Sequence, residues 1–270
     1  ISCVMGTNNI ENGTKGLGLT QQEIMTIPRP VVGMAKEYPS GNVIAAHQHA
    51  RAQLLYASAG VMTVTTDGGI WVVPPFRGVW IPAETEHQIK ASGTLSMRTL
   101  YIDPAHCTGT PGHCCVVSVS PLLRELILHA VKMPELYPLN SPEERIMTVI
   151  LDQVRELDVT PLNLTIPKDI RLKEIFNLLS ENPGDRRTLE EWGKQVGATR
   201  RTLTRLFYSE TGMSFGRWRQ QIRILESLRR LAVNDPVITV AMDLGYDSPS
   251  AFISMFKKAL GKTPGQYFSA

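Results

Sequence analysis

The last third of the chain repeats itself, and no other feature limits the possible folds as strongly. Val196-Gly197 matches Leu244-Gly245 at an offset of 48 residues, and Leu203 and Gly212 match Phe252 and Gly261 at an offset of 49. The one-residue change falls within the turn, where an insertion costs least. Each copy reads as a helix, a glycine-containing turn and a second helix ended by glycine. Thr188-Leu189-Glu190-Glu191 has the spacing of a capping box before the first helix, and Thr199 is placed to cap the second. On that second helix Leu203, Leu206 and Phe207 share one face, with Arg201, Thr204, Arg205 and Tyr208 opposite. In the second copy Ser248-Pro249 supplies an N-cap and a first-turn proline. There Phe252, Met255 and Phe256 form the buried face, while Ser250, Ile253, Ser254 and Lys257 point away.

Charge follows the same division. Residues 184–270 carry 14 Lys and Arg against 8 Asp and Glu, whereas residues 1–183 carry 14 against 17. A basic third on a mildly acidic remainder fits one part that meets a polyanion and another that does not. Two helix-turn-helix units joined by a rigid helix can set two recognition helices in successive major grooves of double-stranded DNA. Arg217, Arg219, Arg223, Arg229 and Arg230 on the connecting helix are expected to hold phosphates. A plain helical bundle with charged outer faces is the competing reading, and two matched copies in a basic segment weigh against it.

These residues carry a family resemblance. The segment Trp192 to Leu203 resembles the first DNA-binding motif of the AraC/XylS family of bacterial transcription regulators. Gly245-Tyr246-Asp247-Ser248-Pro249-Ser250-Ala251-Phe252, followed by Gly261-Lys262-Thr263-Pro264, is similar to that family's second motif and signature. The likeness spans residues 169–270 and implies a DNA-binding face made of Arg200, Arg201, Thr204, Arg205, Tyr208, Ser250, Ala251, Ser254 and Lys257. Many members carry Arg at the position of Ser254, so weaker base reading is expected from the second copy.

The first part of the chain is written differently. From Thr26 to Ile102 short β-rich runs alternate with turn residues: Val31–Met34, Gln53–Tyr56, Val61–Thr65, Trp71–Val73 and Met97–Tyr101. Asp67-Gly68-Gly69 is a hairpin signal, and the spacing predicts a sandwich or barrel. His47-Gln48-His49 with Gln53 and Gly60, then Pro82 and His87, resembles the paired motifs of cupins, small barrels whose histidines and one Glu can hold a metal. Gln53 stands where that Glu would be. The flanks Ala52–Tyr56 and Val79–Ala83 look like the sensor of a cupin-bearing AraC subgroup. The resemblance implies an effector-binding barrel lined by His47, His49, Gln53, Trp71, Trp80 and His87. A divalent metal on His47, His49, Gln53 and His87 is the second reading of that site, an organic effector being preferred, and hydrogen-bonded histidines with no ligand are the third.

Helical periodicity begins near Ser120, with stripes at Leu122, Leu123, Leu126, Ile127 and Ala130 and at Ile146, Val149, Ile150, Val154 and Leu157. Such helices either pack on the barrel or join two copies. His106-Cys107 and His113-Cys114-Cys115 match no zinc spacing, and Cys115-Val116-Val117 reads as a buried strand.

The expected class is α+β: residues 1–110 a tail and cupin-like barrel, 111–160 a helical dimerisation segment, 161–168 a Pro-bounded linker, and 169–270 an all-α double helix-turn-helix. The expected function is a DNA-binding regulator that answers a small-molecule effector, as a homodimer, with RNA polymerase a possible contact and no membrane partner. Subgroup resemblance points to control of a neighbouring transport or resistance gene. The rival classes are a cupin metal-dependent enzyme fused to a DNA reader and an architectural DNA binder. No apolar run approaches the ~18 residues of a membrane span. The first residues lack the order of a signal peptide, the four cysteines are irregularly spaced, and cytoplasm is the expected compartment.

Overall fold

The computed structural model describes residues 21–268. Cys3 and most of the expected N-terminal tail lie outside the described residues, while Gln21–Met25 forms a short helix, α1. Seven strands follow in the first part of the chain: β1 (Val31–Tyr38), β2 (Val43–His47), β3 (Ala52–Thr66), β4 (Gly69–Val73), β5 (Arg77–Ile81), β6 (His87–Ile102) and β7 (Cys115–Ser118). Two short ones, β8 (Val159–Thr160) and β9 (Asn163–Leu164), arrive much later in the chain.

The expected strands at Gln53–Tyr56 and Val61–Thr65 are one element. β3 runs 15 residues and pairs antiparallel with the 16-residue β6 along its length. The register shifts between Ala57 and Val61, where both strands bend. Gly60 has φ +74°, and a Cβ there would lie 2.5 Å from the Thr94 carbonyl oxygen, so only glycine fits the bend. Beyond it β3 changes neighbours, from β5 at residues 53–56 to β4 at residues 62–66. β6 does likewise, pairing with β2 near His87 and with β1 from Leu95 onward. The bent pair thereby folds the sheet over itself into a barrel. Leu55, Val64, Ile89, Leu95 and Met97 belong to one core cluster; Leu54, Tyr56, Trp80 and Leu100, from alternate positions, belong to another beneath two helices.

Those helices are α2 (Pro121–Ala130), capped by Ser120, and α3 (Pro142–Arg155), capped by Ser141. Leu123, Ile127 and Ala130 on α2 and Met147, Ile150, Leu151 and Val154 on α3 are buried against the outer sheet face. The two stripes therefore divide. Ile150 and Val154 are core, whereas Leu122 and Val149 remain 55% and 42% exposed. Cys115-Val116-Val117 is a strand as expected, in β7, and the segment expected as helical dimerisation contributes both β7 and β8 to the sheet.

The remainder is helical: α4 (Ile170–Glu181), α5 (Leu189–Gln195), α6 (Arg200–Thr211), α7 (Phe215–Ala232), α8 (Val237–Asp243), α9 (Pro249–Leu260) and α10 (Pro264–Phe268). The repeat appears as α5–α6 and α8–α9 on either side of α7. The capping box at Thr188 is complete in both directions, and Gly212 and Gly261 end α6 and α9 with φ of +68° and +83°.

The expected linker is not a free tether. Asn163–Leu164 pairs with β4 as β9, and α7 packs across β3, β4, β6 and β9. Gln221 Nε2 donates to the Pro161 carbonyl at 2.6 Å, and Arg229 Nε donates to Thr63 Oγ1 at 3.1 Å. No helix among the described residues is long and apolar enough to cross a membrane.

The tightest point of this junction is Gly93, with φ +71° and room for no Cβ, since one would sit 2.4 Å from the Ala232 carbonyl oxygen. Gly93→Ala is expected to lower stability by at least about 1–2 kcal/mol from the left-handed backbone alone. Calorimetry should show the melting temperature falling by several degrees; an unchanged value would mean that β6 and α7 can separate at no cost.

Candidate ligand site and nucleic-acid interface

Three histidines meet inside the barrel. His47 ends β2, His49 lies in the link to β3, and His87 opens β6 directly across from His47. The ring centroids of His47 and His87 are 4.4 Å apart, those of His49 and His87 5.2 Å, and those of His47 and His49 5.9 Å. His49 and His87 are buried, and His47 is half-buried.

Each ring is fixed through Nδ1. His47 Nδ1 lies 2.8 Å from the Ala45 carbonyl, His49 Nδ1 2.6 Å from that of Arg51, and His87 Nδ1 2.8 Å from that of Thr85. A carbonyl only accepts, so Nδ1 carries the proton in each ring. Burial holds the His49 pKa below the usual range and pushes that of His87 down to about 4, with repulsion from the neighbouring imidazoles adding to it. Both are uncharged at neutral pH, which leaves their Nε2 atoms as lone-pair acceptors.

Gln53, fully buried on β3, sets its amide 3.2 Å from His49 Nε2. The amide atom at that distance is Oε1; because His49 Nε2 bears no proton, the pair is satisfied only with the amide turned about so that its NH2 donates. His87 Nε2 is buried and has no hydrogen-bond partner among the described residues.

Two further residues complete the site, and sequence reasoning passed over both. Tyr101 faces Gln53 across the β3–β6 ladder and meets His49 edge-on at 5.3 Å; burial raises its pKa. Arg51 is 4% exposed, donating to the carbonyls of Ile27 at 2.5 Å and Arg29 at 2.9 Å. It pins the segment after α1, whose Ile24 packs with Ile27, Val32 and Tyr101 beside the site. The alternation along β6 marks Tyr101 as inward-facing, but only the strand register places it opposite Gln53.

The tryptophans do not join this cluster. Trp80 belongs to the outer sheet face under α2 and α3, and its Nε1 donates to the Pro111 carbonyl at 2.7 Å. Its sequence neighbours Val79 and Ile81 belong to the inner core cluster, so strand alternation turns Trp80 outward. Trp71 packs in the inner cluster from β4, two strands away from β6, and the ring contacts among the described residues do not connect it to the histidines. Cys114 and Cys115 are buried, and burial raises both thiol pKa values, that of Cys115 to about 11, so they rest as unreactive thiols.

In the helical part, α6 shows Arg201, Thr204, Arg205 and Tyr208 to solvent, with Leu203 and Phe207 buried behind them. Arg200 is also exposed and ion-paired with Glu190 at 2.8 Å. On α9 the exposed positions are Ser250, Ala251, Ser254 and Lys257; Ile253 turns partly into the core. Both helices are N-capped, by Thr199 and Ser248.

The arginines of α7 mostly depart from the phosphate role expected of them. Arg219 donates to the Arg187 carbonyl, Arg223 to those of Pro183 and Asp185, and Arg230 pairs with Asp235 and Asp243. Arg229 spans Glu226 and Thr63. These four brace the helices and the barrel; Arg217 stays exposed at the start of α7.

Known proteins bear on both halves. Residues 31–128 match the family described as AraC-like ligand binding domain, and residues 192–270 match the one described as Helix-turn-helix domain. The chain is 35% identical over 223 residues to the HTH-type transcriptional regulator NimR of Escherichia coli (strain K12), covering 83% of this chain and 81% of that one. It is 21% identical over 273 residues to the HTH-type transcriptional activator RhaR of Klebsiella pneumoniae, covering 93% and 96%. Among solved structures, ToxT from Vibrio cholerae aligns over 89% of this chain and 98% of its own at 10% identity, with a TM-score of 0.38. These relatives are named as regulators rather than enzymes, which sets aside the fused-enzyme reading. A ligand-binding barrel, a paired helix-turn-helix and a relative matched over most of both chains together make this chain a member of the AraC/XylS family, a DNA-binding transcription regulator that responds to an effector.

Proposed function

We propose that the effector acts at the His47, His49, Gln53 and His87 cluster, with Tyr101 as a further wall, and that α6 does most of the base reading. The sensing unit then runs through Leu164, because β7, β8 and β9 belong to its sheet, and residues 169–270 form the reader. The observation that carries the assignment to α6 is the pair Arg201 and Arg205. They lie one helical turn apart and exposed, each able to fork onto the O6 and N7 of a guanine. Their counterparts Ser250 and Ser254 are short and neutral. Thr204, Tyr208, Arg200, Ala251 and Lys257 make up the rest of the DNA-facing surface.

Pairing of two copies is assigned to the outer face of α2 and α3. Leu122 and Val149 are exposed there, with Leu126 and Ile146 half-buried beside them. The compartment is the cytoplasm, where the DNA is, and contact with RNA polymerase falls to reader surfaces turned away from the duplex.

Arg205→Ala is expected to weaken DNA binding by about 1–3 kcal/mol and relax base preference locally, and Ser254→Ala to do far less. Equal losses from the two would overturn the ranking. A monomer bound through both units should protect two groove segments about one turn, ~10 bp, apart, and a single protected segment would count against double reading. For the interface, Val149→Asp should leave a folded monomer in sedimentation, whereas a charge at Ile150 should unfold the protein. A Val149→Asp protein that still dimerises would move the interface elsewhere.

A further inference from the structure

We propose that the barrel's ligand is an exchangeable divalent transition-metal ion, held by Nε2 of His47, His49 and His87. The proposal rests on the reading of this cluster as the sensor site and names what that site takes.

Four observations converge. First, the metal-binding atoms of the three rings lie within 4.8 Å of one another. Bonds of about 2.0–2.1 Å from nitrogen to zinc need a somewhat tighter set, which small rotations of the rings supply. Second, each ring is anchored by its Nδ1–H to a different backbone carbonyl, Ala45, Arg51 or Thr85. A hydrogen bond at one nitrogen orients an imidazole to ligate through the other, and at His49 the Gln53 amide, 3.2 Å from Nε2, gives way to the ion or joins it as a fourth ligand. Third, His87 Nε2 is buried, with no partner among the described residues. A buried polar atom left unmatched is costly, and an ion satisfies it where the protein offers nothing else. Fourth, the ring centroids stand only 4.4–5.9 Å apart, close enough for one ion to be reached by all three side chains.

The donor set decides the class of ion. Three imidazoles suit zinc, nickel, cobalt or copper, whereas magnesium and calcium want oxygen. Gln53 offers a neutral amide in place of a carboxylate, so no ligand offsets the charge of the ion. A tightly resident cofactor gains from such an offset; an ion that reports its own concentration must leave when that concentration falls. The site is therefore built for exchange. Ligation also has a route to the reader, because the strand that begins at His87 reaches Gly93, whose backbone bears on Ala232 at the end of α7.

The test uses the full chain, stripped with a chelator and titrated with Co2+, whose visible absorption reports nitrogen coordination. One ion per chain is expected, displaced by Zn2+ and not by Mg2+. Binding should weaken at least about a hundredfold in His87→Ala and in the half-buried His47→Ala, which guards against a variant that misfolds. Gln53→Glu should tighten it at least about tenfold by adding one negative charge. Affinity for a duplex selected from a random-sequence pool should differ at least about fivefold between stripped and loaded protein. A folded parent that binds no Co2+, or binds it as well in both histidine variants, overturns the metal and leaves the sensor site to be judged by the transcriptional response of His87→Ala in cells. Stoichiometric binding at the histidines with no change in DNA affinity overturns the ion as effector, and with it the reading of this cluster as the sensor.

Discussion

The pairing of β3 with β6 is the interaction on which the rest of the structure depends. Two strands of 15 and 16 residues stay hydrogen-bonded through a bend that only Gly60 can make on its side. A ladder that long cannot lie flat beside short neighbours, so it supplies the spine of both halves of the barrel. It also spaces the functional parts. Gln53 and His87 sit on the two strands, and Thr63 and Gly93, farther along, touch α7. The histidine cluster and the reader's connecting helix thus rest on the same pair of strands.

Electrostatics sorts the arginines of the helical part into two kinds. Apart from Arg217, those on α7 are satisfied by carbonyls and carboxylates, and the guanidinium of Arg187 stacks 3.6 Å from the Trp192 ring centroid. These tie α7 to the segment before α5 and to the end of α8. Arg201 and Arg205 sit on the exposed face of α6 and keep their donors for another molecule. The net basic charge of the segment is shared between architecture and recognition, and composition alone cannot apportion it.

Much of this was legible in the sequence, for identifiable reasons. The helices of the repeat follow from caps and periodicity that act within a turn or two of the chain, and Thr188, Thr199, Ser248, Gly212 and Gly261 all do what their positions suggest. His47, His49, Gln53 and His87 are gathered as the resemblance to cupin motifs implies. What escaped depends on partners distant in sequence. Trp80 lies on the opposite face from the histidines, because proximity to them along the chain says nothing about strand alternation. Ile150 and Val149 are adjacent, and only the packing of α3 on the sheet separates a core residue from an exposed one. The unity of β3 was hidden by Gly60, which interrupts the β pattern without ending the strand.

The stitching of β9 to β4 has a consequence for how this protein can change state. The barrel and the reader are joined by a handful of residues, and part of that link is itself pinned to the sheet. Were α7 to lift from the barrel, the short chain between β9 and α4 would keep the reader within about 20 Å of its dock, at a high effective local concentration. Re-docking would be fast and nearly unavoidable. A regulator wired in this way behaves like a spring-loaded latch, whose position is set continuously by small differences in contact energy, rather than like a module that is released and must search for its place again.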